Sequence, residues 1–243
     1  MNRFLLVATL ATLALTVVFT SPTLADETFV RLTTGQGDIL LQMKTDVAPR
    51  HVENFLRLGT SGFYDGTYFH RVIPGFMIQG GDPNTRNKDK ADDGQGGPSW
   101  EDVLPAEDFA RLEAVRLMLD QRGYGGLPPS AGIKAEFNSE SHTRGTVSMA
   151  RSQSPDSGGS QFFITVAHTA HLDGKYTIFG KVVTGMDVAD AIVSSERDRQ
   201  DNPLQPVHVT GFNVIDGVAG LTADEAEAWR LFSKPAIIED AAD

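Results

Sequence analysis

The chain of 243 residues has no cysteine, which excludes disulfides, a thiol nucleophile and a lipid-modified N-terminal cysteine. It is short of cations: 21 Lys and Arg face 32 Asp and Glu, a formal net charge of −11. That balance argues against a general nucleic-acid binder, which needs a basic face against phosphates. There is no G-x-S-x-G, no phosphate-binding glycine loop and no H-E-x-x-H. His168 and His171 stand three apart in a loop-like stretch, and Asp82, Asp89, Asp92 and Asp93 fit no calcium loop, so no metal and no cofactor are expected. Internal repeats and heptads are absent too. What remains is a chain long enough to bury a core without staples.

One apolar run stands apart. Arg3 precedes an almost wholly apolar stretch from Phe4 to Thr20, and Thr23-Leu24-Ala25 offers small residues before a cut. This pattern predicts a secretory signal peptide over 1–25, cleaved after Ala25, and a periplasmic or secreted mature chain. The competing reading is an uncleaved anchor, but the run is borderline for a span of roughly 20 residues.

Beyond Phe29 the apolar period changes to that of short strands. "FVRLTTGQGDILLQM" reads as a hairpin, and Val52, Phe55, Leu56 and Leu58 form a helical stripe between Pro49 and Gly59. Strands are expected at Tyr68–Ile73, 76–78, 145–150, 161–166, 176–183 and 206–215, with a short helix at Met186–Val193. Phe109, Leu112, Val115 and Leu119 share a face in a further helix after Pro105. Thr222 and Glu225 form a capping box before "AEAWRLFS". Many short strands with few helices predict a mainly β barrel or sandwich with helices at its ends.

"YFHRVIPGFMIQGGD" (68–82) combines one arginine, one glutamine and a dense apolar set, with no serine, cysteine or lysine to act as nucleophile. Together with "GTVSMARS", "GSQFFIT" and "LDGKYTIFGKV" it resembles the cyclophilin-type peptidyl-prolyl isomerases, in the right order over most of Phe29 to Ile215. "APRHVENF" is similar to that family's first helix. The resemblance implies a closed eight-stranded antiparallel β-barrel capped by two helices, with the active site in a groove on its outer wall. It implies an isomerase domain over 26–216, an extra helix inserted over about 100–132, and a C-terminal helical extension over 217–243.

Residue by residue, the resemblance implies Arg71 as the catalytic arginine, with Gln79 orienting it and a substrate carbonyl. Phe76, Met77, Phe163 and Leu172 match the pocket for the proline ring. Gln161 joins Gln79 in holding the substrate backbone, and Ala150 and Arg151 line the extended peptide. Arg151 stands where asparagine is frequent. His171 replaces a frequent tryptophan, which implies weaker cyclosporin binding, and Tyr176 replaces a frequent histidine while keeping a ring on the proline side.

The implied function is acceleration of X–Pro isomerisation during folding of exported proteins. The alternatives are a proline-peptide binding module or holdase with weak catalysis, and a scaffold using the inserted helix or the tail. The implied partners are proline-containing polypeptides; the mature chain is expected to be a monomer with no nucleic acid and no lasting membrane association. The inserted helix could be a lid, a docking face or a packed cap, and Trp229 and Phe232 could pack back on the barrel or meet a partner.

Overall fold

The computed structural model describes residues 27–104, 106–108, 110, 111, 113, 117 and 132–234. The hairpin signal forms β1 (Thr28–Thr34) and β2 (Gly37–Met43), paired from Phe29↔Gln42 to Thr34↔Gly37. Strands β3 (Arg71–Ile73), β4 (Met77–Gly80), β5 (Thr146–Met149), β6 (Phe162–Thr165), β7 (Ile178–Thr184) and β8 (Val209–Asp216) complete one antiparallel sheet. Its order is β3-β4-β6-β5-β7-β2-β1-β8. The inward positions are alternate residues: Val30, Leu32, Ile39, Leu41, Val72, Ile78, Val147, Phe162, Ile164 and Phe179 share one core.

Helix α1 (Pro49–Thr60) begins with Pro49, whose missing N–H costs nothing there. No local side chain caps it. Instead the Glu136 carboxylate accepts from the backbone N–H groups of Arg50 (3.2 Å) and His51 (3.0 Å), and meets His51 Nδ1 at 2.6 Å. Phe55 on its buried face touches the rings of Tyr64, Phe162, Phe179 and Phe212 at 5.1–5.2 Å between centroids. Gly59 permits this approach, since a Cβ there would lie 2.1 Å from the Phe212 ring. The short α2 (Trp100–Val103) carries a Ser99–Asp102 capping box. Helix α3 (Met186–Val193) sinks Ala189 and Ile192 into the same core.

The ladder is curled but open. β3 and β8 end it and do not pair as strands, so the expected closed barrel is met as an eight-stranded curled sheet. The reason is local. The outer edge of β3 is occupied by a loop, with Val72 N–H donating to the Asp201 carbonyl at 2.9 Å. The expected strand at Tyr68–Ile73 is thereby shortened. Its first part meets the other end only through the Tyr68↔His208 bridge and bonds such as Val209 N–H to Thr67 O at 2.8 Å.

After β8 the chain forms α4 (Ala223–Phe232), entered through the Thr222–Glu225 capping box. It lies on the outer face of β1, β2, β7 and β8. Trp229 sits edge-on to Phe29 at 5.2 Å, beside Leu40 and Ile215, while Arg31 donates from Nε (2.9 Å) and NH2 (2.7 Å) to the two oxygens of Glu225. Phe232 stays exposed. In the inserted segment, residues 106–108, 110, 111, 113 and 117 are helical; the stripe of Phe109, Leu112, Val115 and Leu119 lies outside the described residues.

Candidate active site

The residues that alternate with the core positions of β3, β4, β6 and β5 point to the outer face. Register aligns them across strands: Arg71 opposes Gln79, Gln79 opposes Phe163, and Phe163 opposes Ser148, while Ile73 opposes Met77. A single parity therefore sets Val72, Ile78 and Ile164 inward and Arg71, Met77, Gln79 and Phe163 outward. The Pro74-Gly75 turn between β3 and β4 is closed by Phe76 N–H to Ile73 O at 3.0 Å and uses the positive φ of Gly75 (72°).

Met77, Phe163 and Leu172 form a small apolar cluster separate from the core, with Ile73, Phe76, Ala150 and Tyr176 packed around it. Tyr176 meets Phe163 edge to face at 5.6 Å, and the exposed His171 stacks on Phe76 at 5.7 Å. Arg71 is exposed at the edge of this cluster, and among the described residues its guanidinium has no hydrogen-bond or ion-pair partner. All eleven residues singled out from the sequence thus fall on the outer face of one end of the sheet or on the loops beside it.

One expectation is corrected. Gln79 does not hydrogen-bond Arg71; its Nε2 donates to Gln161 Oε1 at 2.9 Å. Gln161 in turn donates to the carbonyls of Gly94 (3.0 Å) and Gly96 (2.7 Å), so the two glutamines bridge the sheet to the glycine-rich loop. The loop is pinned from below by buried Asp82, which accepts from Asn84 N–H (2.8 Å) and Gly96 N–H (3.2 Å). A Cβ at Gly96 would lie 2.1 Å from Asp82 Oδ1, so glycine is required there. On one side of the bridge lies a groove of about 350 Å³ lined by Gln79, Pro98, Ala150, Arg151 and Gln161 among others. A second hollow of about 520 Å³ is bordered by Arg71, Gln79, His70 and Asn202.

Sequence reasoning missed the support behind Phe163. The buried His142 ring stacks on Phe163 at 6.0 Å, 13° from parallel. Its Nδ1 lies 2.8 Å from Asp173 Oδ1 and its Nε2 lies 3.1 Å from Ser148 Oγ. Burial pushes the His142 pKa down from the ordinary imidazole value, against the opposing pull of Asp173. The Asp173 carboxyl is held below the usual carboxylate range by the backbone N–H of His142 and then by its ring. Nothing in "SHTRGTV" marks His142 locally, because Asp173 and Phe163 come from a turn and a strand more distant in the chain and only Ser148 lies nearby.

The family model described as cyclophilin type peptidyl-prolyl cis-trans isomerase/CLD matches residues 29–214. A probable peptidyl-prolyl cis-trans isomerase of Brucella suis biovar 1 is 39% identical over 185 residues, covering 76% of this chain and 81% of the relative. Peptidyl-prolyl cis-trans isomerase A of Dickeya dadantii is 36% identical over 225 residues, covering 88% of this chain and 99% of the relative. The crystal structure of a Cryptosporidium parvum cyclophilin type isomerase, determined in the presence of the dipeptide Ala-Pro, superposes with a TM-score of 0.60 at 28% identity, over 77% of this chain and 98% of that one. With an apolar cluster, an unpaired arginine and a glutamine bridge on the outer face of such a sheet, the chain belongs to the cyclophilin-type peptidyl-prolyl cis-trans isomerases.

Proposed function

We propose that this isomerase acts on X–Pro bonds of exported polypeptides and that Arg71 stabilises the twisted amide. Rotation about the amide bond meets a barrier of about 18–20 kcal/mol because resonance is lost. No bond is made or broken, so no nucleophile and no acid–base pair is needed. As resonance is lost, the proline nitrogen regains its lone pair and becomes an acceptor. A guanidinium that donates to it binds the twisted state better than the planar one. The cluster of Met77, Phe163 and Leu172, rimmed by Phe76, His171 and Tyr176, grips the proline ring. The glutamine bridge, Ala150 and Arg151 hold the chain that turns.

The observation that carries this reading is the unpartnered guanidinium of Arg71 beside an outer-face apolar cluster with a half-buried rim, one strand from Gln79. A cation with no resident partner is available to a substrate. The apolar run before Ala25 supports export with cleavage near that residue, and a periplasmic mature chain. The Tyr68↔His208 bridge and the Val209 N–H to Thr67 O bond draw the two ends of the curled sheet together, which supports a barrel as the frame of the outer groove.

A protease-coupled assay on a short X–Pro peptide tests the function, with the mature chain beside Arg71→Ala. The expected result is rate enhancement by the first and its near loss in the second. Peptide binding without rate enhancement by the mature chain would replace this reading with that of a proline-peptide holdase. Export is tested by fractionating cells and sequencing the mature N-terminus, where a chain still beginning at Met1 in the cytoplasm would overturn it.

A further inference from the structure

Among the described residues that line the 350 Å³ groove, Arg151 is the one formal charge; the others are glycine, serine, alanine, proline and glutamine. Its guanidinium is fixed before any ligand arrives. Nε donates to the Lys175 carbonyl at 2.9 Å, and NH1 donates to those of Ser152 (2.9 Å) and Gln153 (3.3 Å). Its Cζ lies over the ring of Tyr176, 4.7 Å from the centroid, and 6.0 Å from that of Phe137. Among the described residues no carboxylate pairs with it, and NH2 makes no hydrogen bond. The arrangement is a half-buried, immobilised cation with a free donor, in a groove otherwise neutral.

We propose that this groove selects proline-containing peptides that carry an acidic side chain close to the proline, with Arg151 as the residue that determines the preference. This rests on the isomerase reading of the same site. A guanidinium already ordered by carbonyls and rings loses little freedom on binding a carboxylate, and it presents a planar donor edge. Partial burial makes the pair stronger than one in bulk water. The net charge of −11 works the other way at long range, since it repels any acidic peptide. The preference is therefore local: it depends on where the carboxylate sits and not on the peptide's total charge.

That distinction sets the experiment. Peptides with one X–Pro bond carry a single glutamate either at one of the positions flanking the proline or at the distal end, so that near and distal isomers have equal net charge. Lysine counterparts and an alanine parent complete the set. The expected result is a flanking position at which glutamate raises kcat/KM about three-fold over its distal isomer, while lysine there lowers it. Arg151→Gln should bring the near-to-distal ratio to one, and Arg151→Glu should invert it. Ratios of one at every flanking position, or a ratio untouched by Arg151→Glu, overturn the proposal. Failure of the isomerase reading shows separately, as no turnover of the alanine parent. The same near and distal comparison then uses peptide affinity by calorimetry, and it still decides the acidic preference.

Discussion

On β1, β2 and β8 the outward positions hold Phe29, Leu40 and Ile215, and α4 lies across them with Trp229. On β4 and β6, at the other end of the sheet, the outward positions hold Met77 and Phe163, bounded by the turn that carries His171 and Leu172. Both faces break the rule that the outer side of a half-buried sheet is polar. The difference lies in what covers them. The first is roofed by a helix of the same chain and fastened by the Arg31–Glu225 pair; the second is edged by the unpartnered Arg71 and the glutamine bridge. The first face is closed by a helix of the same chain, whereas the second keeps a half-buried rim of Ile73, Phe76, Ala150 and Tyr176 beside an unpaired cation.

The roofed face should respond to mutation in stability alone. Trp229→Ala removes a buried aromatic from its contact with Phe29 and should cost about 3–5 kcal/mol. For a domain of this size that is a fall in Tm of roughly 10 °C. Activity measured well below the transition should be unchanged. Loss of kcat/KM in the folded variant would join the two faces and end the comparison.

Arg71→Ala is the mirror case. Removing one donor aimed at developing charge commonly costs about 10²–10³-fold in turnover, and the exposed side chain makes no hydrogen bond or ion pair among the described residues. Circular dichroism should show the Tm of the parent. A variant that loses stability as Trp229→Ala does would make Arg71 structural.

The same contrast explains what the sequence made legible. In "FHRVIPGFMIQGGD" the alternation of Val72 and Ile78 with Arg71, Met77 and Gln79 already separates core from site, because strand parity is local. The Thr222–Glu225 box is local as well, and it stands as read. What was not legible joins distant segments: Glu136 capping α1, Asp82 pinning Gly96, His142 behind Phe163, and Asp201 taking the edge of β3. The Gln79–Gln161 bond belongs here too. Both residues were visible in the sequence as site residues, but which partner Gln79 would choose depended on the approach of the glycine-rich loop.

Leu172→Ala tests the second face with a smaller change. It shortens one wall of the cluster while leaving Arg71 and the bridge in place. The expected effect is about a ten-fold fall in kcat/KM, mostly through KM, since the lost contact grips the ring in planar and twisted states alike. A fall confined to kcat would mean that the wall acts on rotation itself.

The smallest effect concerns the fastening of the roof. Arg31 holds the Glu225 carboxyl at about 2, far below the ordinary 4.5, through the paired hydrogen bonds, and the Thr222 N–H adds to this. A carboxylate depressed in the folded state contributes stability that is fully present above about pH 4.5 and is lost as the pH falls through about 2. Glu225→Gln keeps a capping-box acceptor and removes the charge. The parent should exceed this variant by about 1 kcal/mol at pH 7, since both partners are partly solvated. The gap should shrink between pH 4.5 and 2, read as the difference between two denaturation series, while turnover is the same in both proteins at neutral pH. A gap that stays constant across that window would show that the roof is held by Trp229 and its apolar neighbours, with the ion pair contributing nothing measurable.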